Sequence, residues 1–241
     1  MDLLHVPTVS AVGAVSGLFV SDRFAAQSVF NIKSHNIVRI LSLVPPEEVP
    51  RFDRSEGKQD VAVEIRNINI DDDPMEDILM HLKDACDWIQ SGLDQRSADG
   101  SNGQTGVLVH RQQGISRSGS FIVAYLMRKF QLPYSDALSL ARVLRPIICP
   151  NKGFEDQLRV WEQCRYDIHA GGHTDSAETK KTKAPYEAWK AKRDNTFKKS
   201  VEGINKNRAS SVARLAAHVG KRRHAEENLD REGSLGGQRE A

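Results

Sequence analysis

The sequence predicts an α/β fold, a central and mostly parallel sheet flanked by helices, followed by a basic C-terminal tail that is partly helical or disordered. Three observations lead there. The apolar, β-branched stretch Val107-Leu108-Val109 runs into a polar loop ending near Ser120, and an apolar run of helical length, Phe121 to Met127, follows it; this reads as strand, loop, helix. Upstream, short apolar segments alternate with helical patterns, as α/β units do. Charge then divides the chain: residues 1–169 carry 18 Lys and Arg against 22 Asp and Glu, a net −4, whereas residues 170–241 carry 16 against 10, a net +6. The expected boundary lies near Gly171, where two glycines and short polar residues interrupt the helical pattern, giving a domain over 1–169 and an extension over 170–241.

Ala11 to Val20 and Val38 to Val44 read as strands, with a helix from Asp22 to Phe30 between them. Val61 to Ile68 alternates as a strand does and leads into the acidic turn Asp71-Asp72-Asp73-Pro74. Ile78, Leu82, Ala85, Cys86 and Ile89 then recur at helical spacing, for an amphipathic helix of about three turns. Cys86 falls on its apolar face, where a thiol is a small core residue and not a nucleophile. Ser97 to Gly103 is turn-rich and links this helix to the strand at Val107. Beyond Met127, a helix opens at Pro133 and runs to Leu144, stopping before Pro146 because proline cannot extend the hydrogen-bond ladder. Asn151 caps a last helix whose Phe154, Leu158 and Trp161 share one face.

A chain of 241 residues buries a sufficient core without disulfides. Its three cysteines, Cys86, Cys149 and Cys164, are odd in number and lack metal-ligand spacing, which predicts a reducing cytoplasmic or nuclear compartment and no structural zinc. Neither a metal nor an organic cofactor is expected. No window approaches the roughly 18 apolar residues that span a bilayer, and the start of the chain has no basic flank before an apolar stretch, so no membrane association is expected.

The chemistry concentrates in the loop His110-Arg111-Gln112-Gln113-Gly114-Ile115-Ser116-Arg117-Ser118. The first amides of a helix lack intrahelical partners and sit at the positive end of its dipole, so a loop wrapped against them gathers donors around a phosphate-sized site. Arg117 adds a permanently charged, two-pronged clamp. At these residues the sequence resembles the cysteine-dependent dual-specificity protein phosphatases, whose signature is His-Cys-x-x-Gly-x-Ser-Arg-Ser between the central strand and a helix. His110, Gly114, Ser116, Arg117 and Ser118 match it. Ser16-Gly17-Leu18-Phe19-Val20-Ser21 and Pro150-Asn151-Lys152-Gly153-Phe154 are similar to that family's opening and closing segments, so the resemblance covers roughly residues 9–168.

The resemblance implies a dual-specificity phosphatase-like domain in which residues 112–118 bind phosphate. It also implies that position 111 should hold the cysteine whose thiolate attacks phosphorus. Arg111 stands there instead, and a guanidinium is always protonated and offers donors only. By the same resemblance Asp72 best matches the general acid that protonates the leaving oxygen, with Asp71 and Asp73 flanking it. Without a nucleophile it is idle, and so is His110, whose family role is to keep the sulfur ionised. Ser118, which in the family assists departure of the sulfur, is expected here to bond the loop backbone. Arg111 either projects through the cradle, plugging it and pairing with Asp72, or swings aside and adds positive charge. Repulsion from Arg117 favours occlusion.

The expected function is that of a pseudophosphatase that binds or shields a phosphorylated protein, or scaffolds signalling partners. A protein phosphatase with residual or variant-suppressed activity is the main alternative. A second alternative places function in the basic tail as a nucleic-acid or ribosome contact. The tail carries the clusters Lys180-Lys181-Thr182-Lys183 and Lys221-Arg222-Arg223-His224, with a weakly amphipathic pattern through Val212, Leu215, Ala216 and Val219 between them. Tyr186-Glu187-Ala188-Trp189 stands out from this polar stretch as a short docked helix or an anchor for a protein partner.

Overall fold

A computed structural model describes residues 9–52, 62–95, 104–112, 114–143, 145–170, 181–199, 201–202 and 208. At its centre lies a five-stranded sheet of β1 (Val9–Ala11), β2 (Leu18–Ser21), β3 (Ile37–Ser42), β4 (Glu64–Asn67) and β5 (Gly106–His110), in the order β1-β2-β5-β3-β4. Only the β1–β2 pairing is antiparallel. Central β5 is buried at every residue, which explains its unbroken apolar run: a parallel strand covered on both faces has no polar side to show. Val107 and Val109 join a large core with the helices on one face, whereas Leu108 joins a smaller core with Ala26, Ile32 and Ile40 on the other.

The single strand expected over Ala11–Val20 is a hairpin. The Val12 amide donates to the Leu18 carbonyl at 2.8 Å, and Gly17 takes φ +79°, where a Cβ would also stand 2.5 Å from the Thr105 carbonyl oxygen. The turn carries buried Val12 and Val15, so its apolar composition hides it. Likewise the helix expected from Asp22 to Phe30 divides into α1 (Arg23–Gln27) and α2 (Val29–Ser34). Ser28 adopts an extended ψ of 111° and its hydroxyl accepts the Asn31 amide, starting the second helix.

The remaining helices are α3 (Leu79–Leu93), α4 (Arg117–Phe130), α5 (Tyr134–Arg142) and α6 (Lys152–Gln163). Asn151 caps α6 by accepting the Phe154 amide at 2.9 Å. Their buried faces supply Leu79, Leu82, Ile89, Phe121, Leu126, Leu158 and Trp161 to the larger core. Val61, the loop 97–103, Leu144 and the tail from residue 209 onward lie outside the described residues, as do the features expected there.

Two compact units are present, Met1–Trp189 and Lys190–Ala241. The first extends past the composition change at Gly171. His169 and Thr182 form an antiparallel bridge, the Lys183 amide donates to the Ile168 carbonyl at 2.8 Å, and residues 184–189 are helical. Tyr186 is 3% exposed within the larger core, and Trp189 stacks beside it at a ring separation of 6.0 Å. In the second unit, residues 190–199 are helical.

Candidate phosphate-binding site

Strand β5 ends at His110 and α4 begins at Arg117; of the loop between them, residues 111, 112 and 114–116 are described. Gly114 makes the turn at φ +68°, and a Cβ there would lie 2.7 Å from the Arg145 guanidinium and 2.8 Å from the Ser21 carbonyl oxygen. Arg145, buried at 5% exposure, holds the back of the turn by donating to the Gly114 carbonyl at 3.2 Å and to the Ser10 hydroxyl at 3.0 Å. The Ile115 carbonyl accepts the Cys149 amide at 3.2 Å. The loop is therefore fastened from behind by β1 and by the segment joining α5 to α6.

The acidic turn after β4 meets the loop from the other side. One Asp72 oxygen, Oδ1, accepts the Ser116 hydroxyl at 2.7 Å and the Asn151 side-chain amide at 2.9 Å, while Oδ2 pairs with Arg111 Nη2 at 3.0 Å. Ser116 in turn accepts the Asn151 backbone amide at 3.1 Å. Side-chain exposures of 13% for Arg111 and 25% for Asp72 leave this ion pair largely shielded. Gly153 lets the start of α6 close on this turn, since a Cβ would meet the Pro74 carbonyl oxygen at 2.0 Å. Among the three aspartates Asp71, Asp72 and Asp73, Asp72 is the one bonded to the loop; Asp73 caps its own turn through the Met75 amide.

Arg117 is 7% exposed and donates through Nη1 to the Ile70 carbonyl. Burial, and then the neighbouring charge of Arg111, lower its proton affinity. His110 is fully buried, with Nε2 at 2.7 Å from the Ser42 hydroxyl; burial lowers its pKa to about 4, against the opposing pull of Asp22, so the ring is neutral at physiological pH. Gln112 is exposed, and its side chain donates outward to Glu48 at 3.0 Å, which also pairs with Arg23 at 3.7 Å. Gln113 lies outside the described residues.

Ser118 departs from expectation. Its hydroxyl, at 0% exposure, has no hydrogen-bond partner among the described residues. The nearby Ser116 carbonyl is already occupied by the amide and the hydroxyl of Ser120, both at 2.8 Å. The Nε atoms of Arg111 and Arg117 are likewise buried and without a partner among the described residues. Cys86 sits apart on α3, its thiol pushed up to about 12 by burial and so protonated. Among the described residues, no group of three or more His, Cys, Asp or Glu could hold a metal ion, and no helix is long and apolar enough to cross a membrane.

Three residues of the site were not singled out for it by sequence reading. Arg145 lies in a stretch without periodicity, and nothing in its spacing points to Gly114. In the sequence Asn151 and Gly153 mark the opening of a helix, and their contacts with the acidic turn are long-range.

Arranged in this way, the loop can grip an oxyanion, and the position that the resemblance assigns to the nucleophile is held by Arg111, whose guanidinium offers donors only. Comparison with known proteins agrees with the architecture. Residues 26–164 match the family model described as dual specificity phosphatase, catalytic domain. A dual specificity protein phosphatase of Drosophila melanogaster, MPK-4, is 34% identical over 157 residues, covering 63% of this chain; the match spans only 36% of that relative's length. The Yvh1 phosphatase domain from Chaetomium thermophilum superposes with a TM-score of 0.56 at 32% identity, covering 66% of this chain and 99% of that one. The human tyrosine phosphatase-like serine/threonine/tyrosine-interacting protein does so with a TM-score of 0.54 at 27% identity, covering 64% and 95%.

Proposed function

The chain belongs to the dual specificity phosphatase family, and from that membership we propose that it binds phosphorylated protein through the loop at 111–118 without hydrolysing it. The observation that carries this reading is Arg111, which occupies the nucleophile's position and is held 3.0 Å from Asp72. Covalent phosphoryl transfer needs an electron pair aimed at phosphorus, and a guanidinium has none to give. General acid catalysis needs a carboxylic acid presenting its proton to the leaving oxygen, yet Asp72 accepts three donors and is turned toward the loop. What persists is recognition: an arginine clamp, a helix start and a turn fixed from behind by Arg145. The human structural neighbour is named a phosphatase-like, interacting protein, a description of that protein that accords with this reading.

The test is Arg111→Cys assayed with an aryl phosphate. Restoring the sulfur also frees Asp72 from its ion pair, so this variant is expected to turn over substrate while the unaltered chain does not. Robust turnover by the unaltered chain, or a covalent phosphoenzyme trapped on it, would make the protein an enzyme and overturn the reading.

A further inference from the structure

Three buried polar groups of the loop have no partner among the described residues: Nε of Arg111, Nε of Arg117 and the Ser118 hydroxyl. Unpaired buried donors are costly and uncommon in folded proteins, so three gathered at this loop and the helix start that follows it need an explanation. Two of them belong to guanidiniums close enough for one to depress the proton affinity of the other. Like charges brought together under cover are relieved by an anion placed between them. The Ser118 hydroxyl can donate to the same anion.

Resting on the binding role proposed above, we propose that Arg111 is itself a phosphate ligand: the loop takes a dianionic phosphomonoester between Arg111 and Arg117, with Arg111 exchanging the Asp72 carboxylate for phosphate oxygens. The residue that removes the chemistry thereby contributes the grip. The exchange is feasible because Asp72 meets Arg111 through Nη2 while Nε has no partner among the described residues, and because Asp72 has its 2.7 Å and 2.9 Å bonds to Ser116 and Asn151 to keep when Arg111 leaves. Asp72 then acts as a competitor for the guanidinium, lowering apparent affinity by the fraction of molecules in which the pair is closed. A monoester carries close to two negative charges near neutral pH and neutralises both arginines, whereas a diester carries one. Selectivity for the monoester follows.

The experiment is calorimetric titration of the full chain with phenyl phosphate and with its methyl diester. The unaltered chain is expected to bind the monoester at least about tenfold more tightly. Arg111→Ala should weaken monoester binding by roughly 10-fold or more, in line with the loss of one charge-assisted contact, and narrow the gap to the diester. Asp72→Asn should tighten binding by about tenfold, while Asp71→Asn, which removes a neighbouring charge that does not pair with Arg111, should change it far less. In the Arg111→Ala background, Asp72→Asn should do no more than Asp71→Asn. Arg111→Gln repeats the measurement should the alanine variant fold poorly.

If the unaltered chain binds phenyl phosphate and loses it on Arg117→Ala, while the Arg111 and Asp72 variants match it, the binding role stands and the assignment of Arg111 fails. An equal gain from Asp71→Asn and Asp72→Asn overturns the exchange as well. Absence of binding in every variant overturns both proposals.

Discussion

Burial depresses the His110 imidazole from an ordinary value of 6.5 to about 4, so the folded protein refuses a proton that the unfolded chain accepts. The sign follows from linkage. Above about pH 6.5 both states are neutral and the residue is without effect; as pH falls toward 4 the unfolded state is favoured, by roughly 3 kcal/mol in the limit. Urea unfolding of the unaltered chain between about pH 7 and about pH 4 should show this loss, and His110→Asn should lack that part of the slope. The identity of Arg111 was plain in the sequence because a missing thiol is a matter of residue type. Repulsion from Arg117 also favours its pairing with Asp72, found at 3.0 Å, whereas the convergence of Ser116 and Asn151 on the same carboxylate arises only once β4, β5 and α6 are packed. Ser118 shows the same limit, because a hydroxyl's partner depends on which carbonyls its neighbours have already taken.

Helices α3 and α6 are joined by a side chain that periodicity alone would misplace. Gln157 is fully buried; its carbonyl oxygen accepts the Ile78 amide at 2.9 Å and its nitrogen donates to the Glu76 carbonyl at 2.7 Å. It thus satisfies an orphan amide at the start of α3 from another helix. Gln157→Leu should lower stability by about 3 kcal/mol in urea unfolding, because two buried backbone groups lose their partners while volume is nearly kept. The long helices and the central strand were readable from their apolar patterns, and α3 and α4 fall where spacing puts them. The hairpin at β1–β2 and the break at Ser28 were not. Both are turns made inside apolar stretches, one by a glycine at positive φ and one by a serine whose dual role in ending and starting helices leaves no trace in hydrophobic spacing.

At the level of the whole first unit, the segment 181–189 is part of the body that carries the site. The Tyr186 hydroxyl donates to Asp77 at 3.0 Å, just past the acidic turn, and Lys183 donates to the Cys164 carbonyl at 2.8 Å. Tyr186→Phe should cost about 1–2 kcal/mol, and a chain ending at residue 170 should melt below one ending at 189, because it uncovers the seat of a buried aromatic ring. Thermal unfolding of the two truncations decides it, equal midpoints counting against a stabilising role for residues 181–189. Composition placed the change of character near Gly171 because charge reports contact with solvent. Packing is decided there by Tyr186 and Trp189, which the sequence had marked as exceptions.

Strand β5 is hydrogen-bonded along both edges, to β2 and to β3, and the loop leaves directly from its end. Opening that strand means rupturing two ladders together, so local fraying is suppressed where the loop is rooted. With Arg145 and the α5–α6 segment gripping its far side, the turn keeps its curvature without help from a visitor. A phosphorylated side chain of the kind proposed above would surrender its own freedom of motion and little of the turn's, so that a modest number of contacts would suffice for capture.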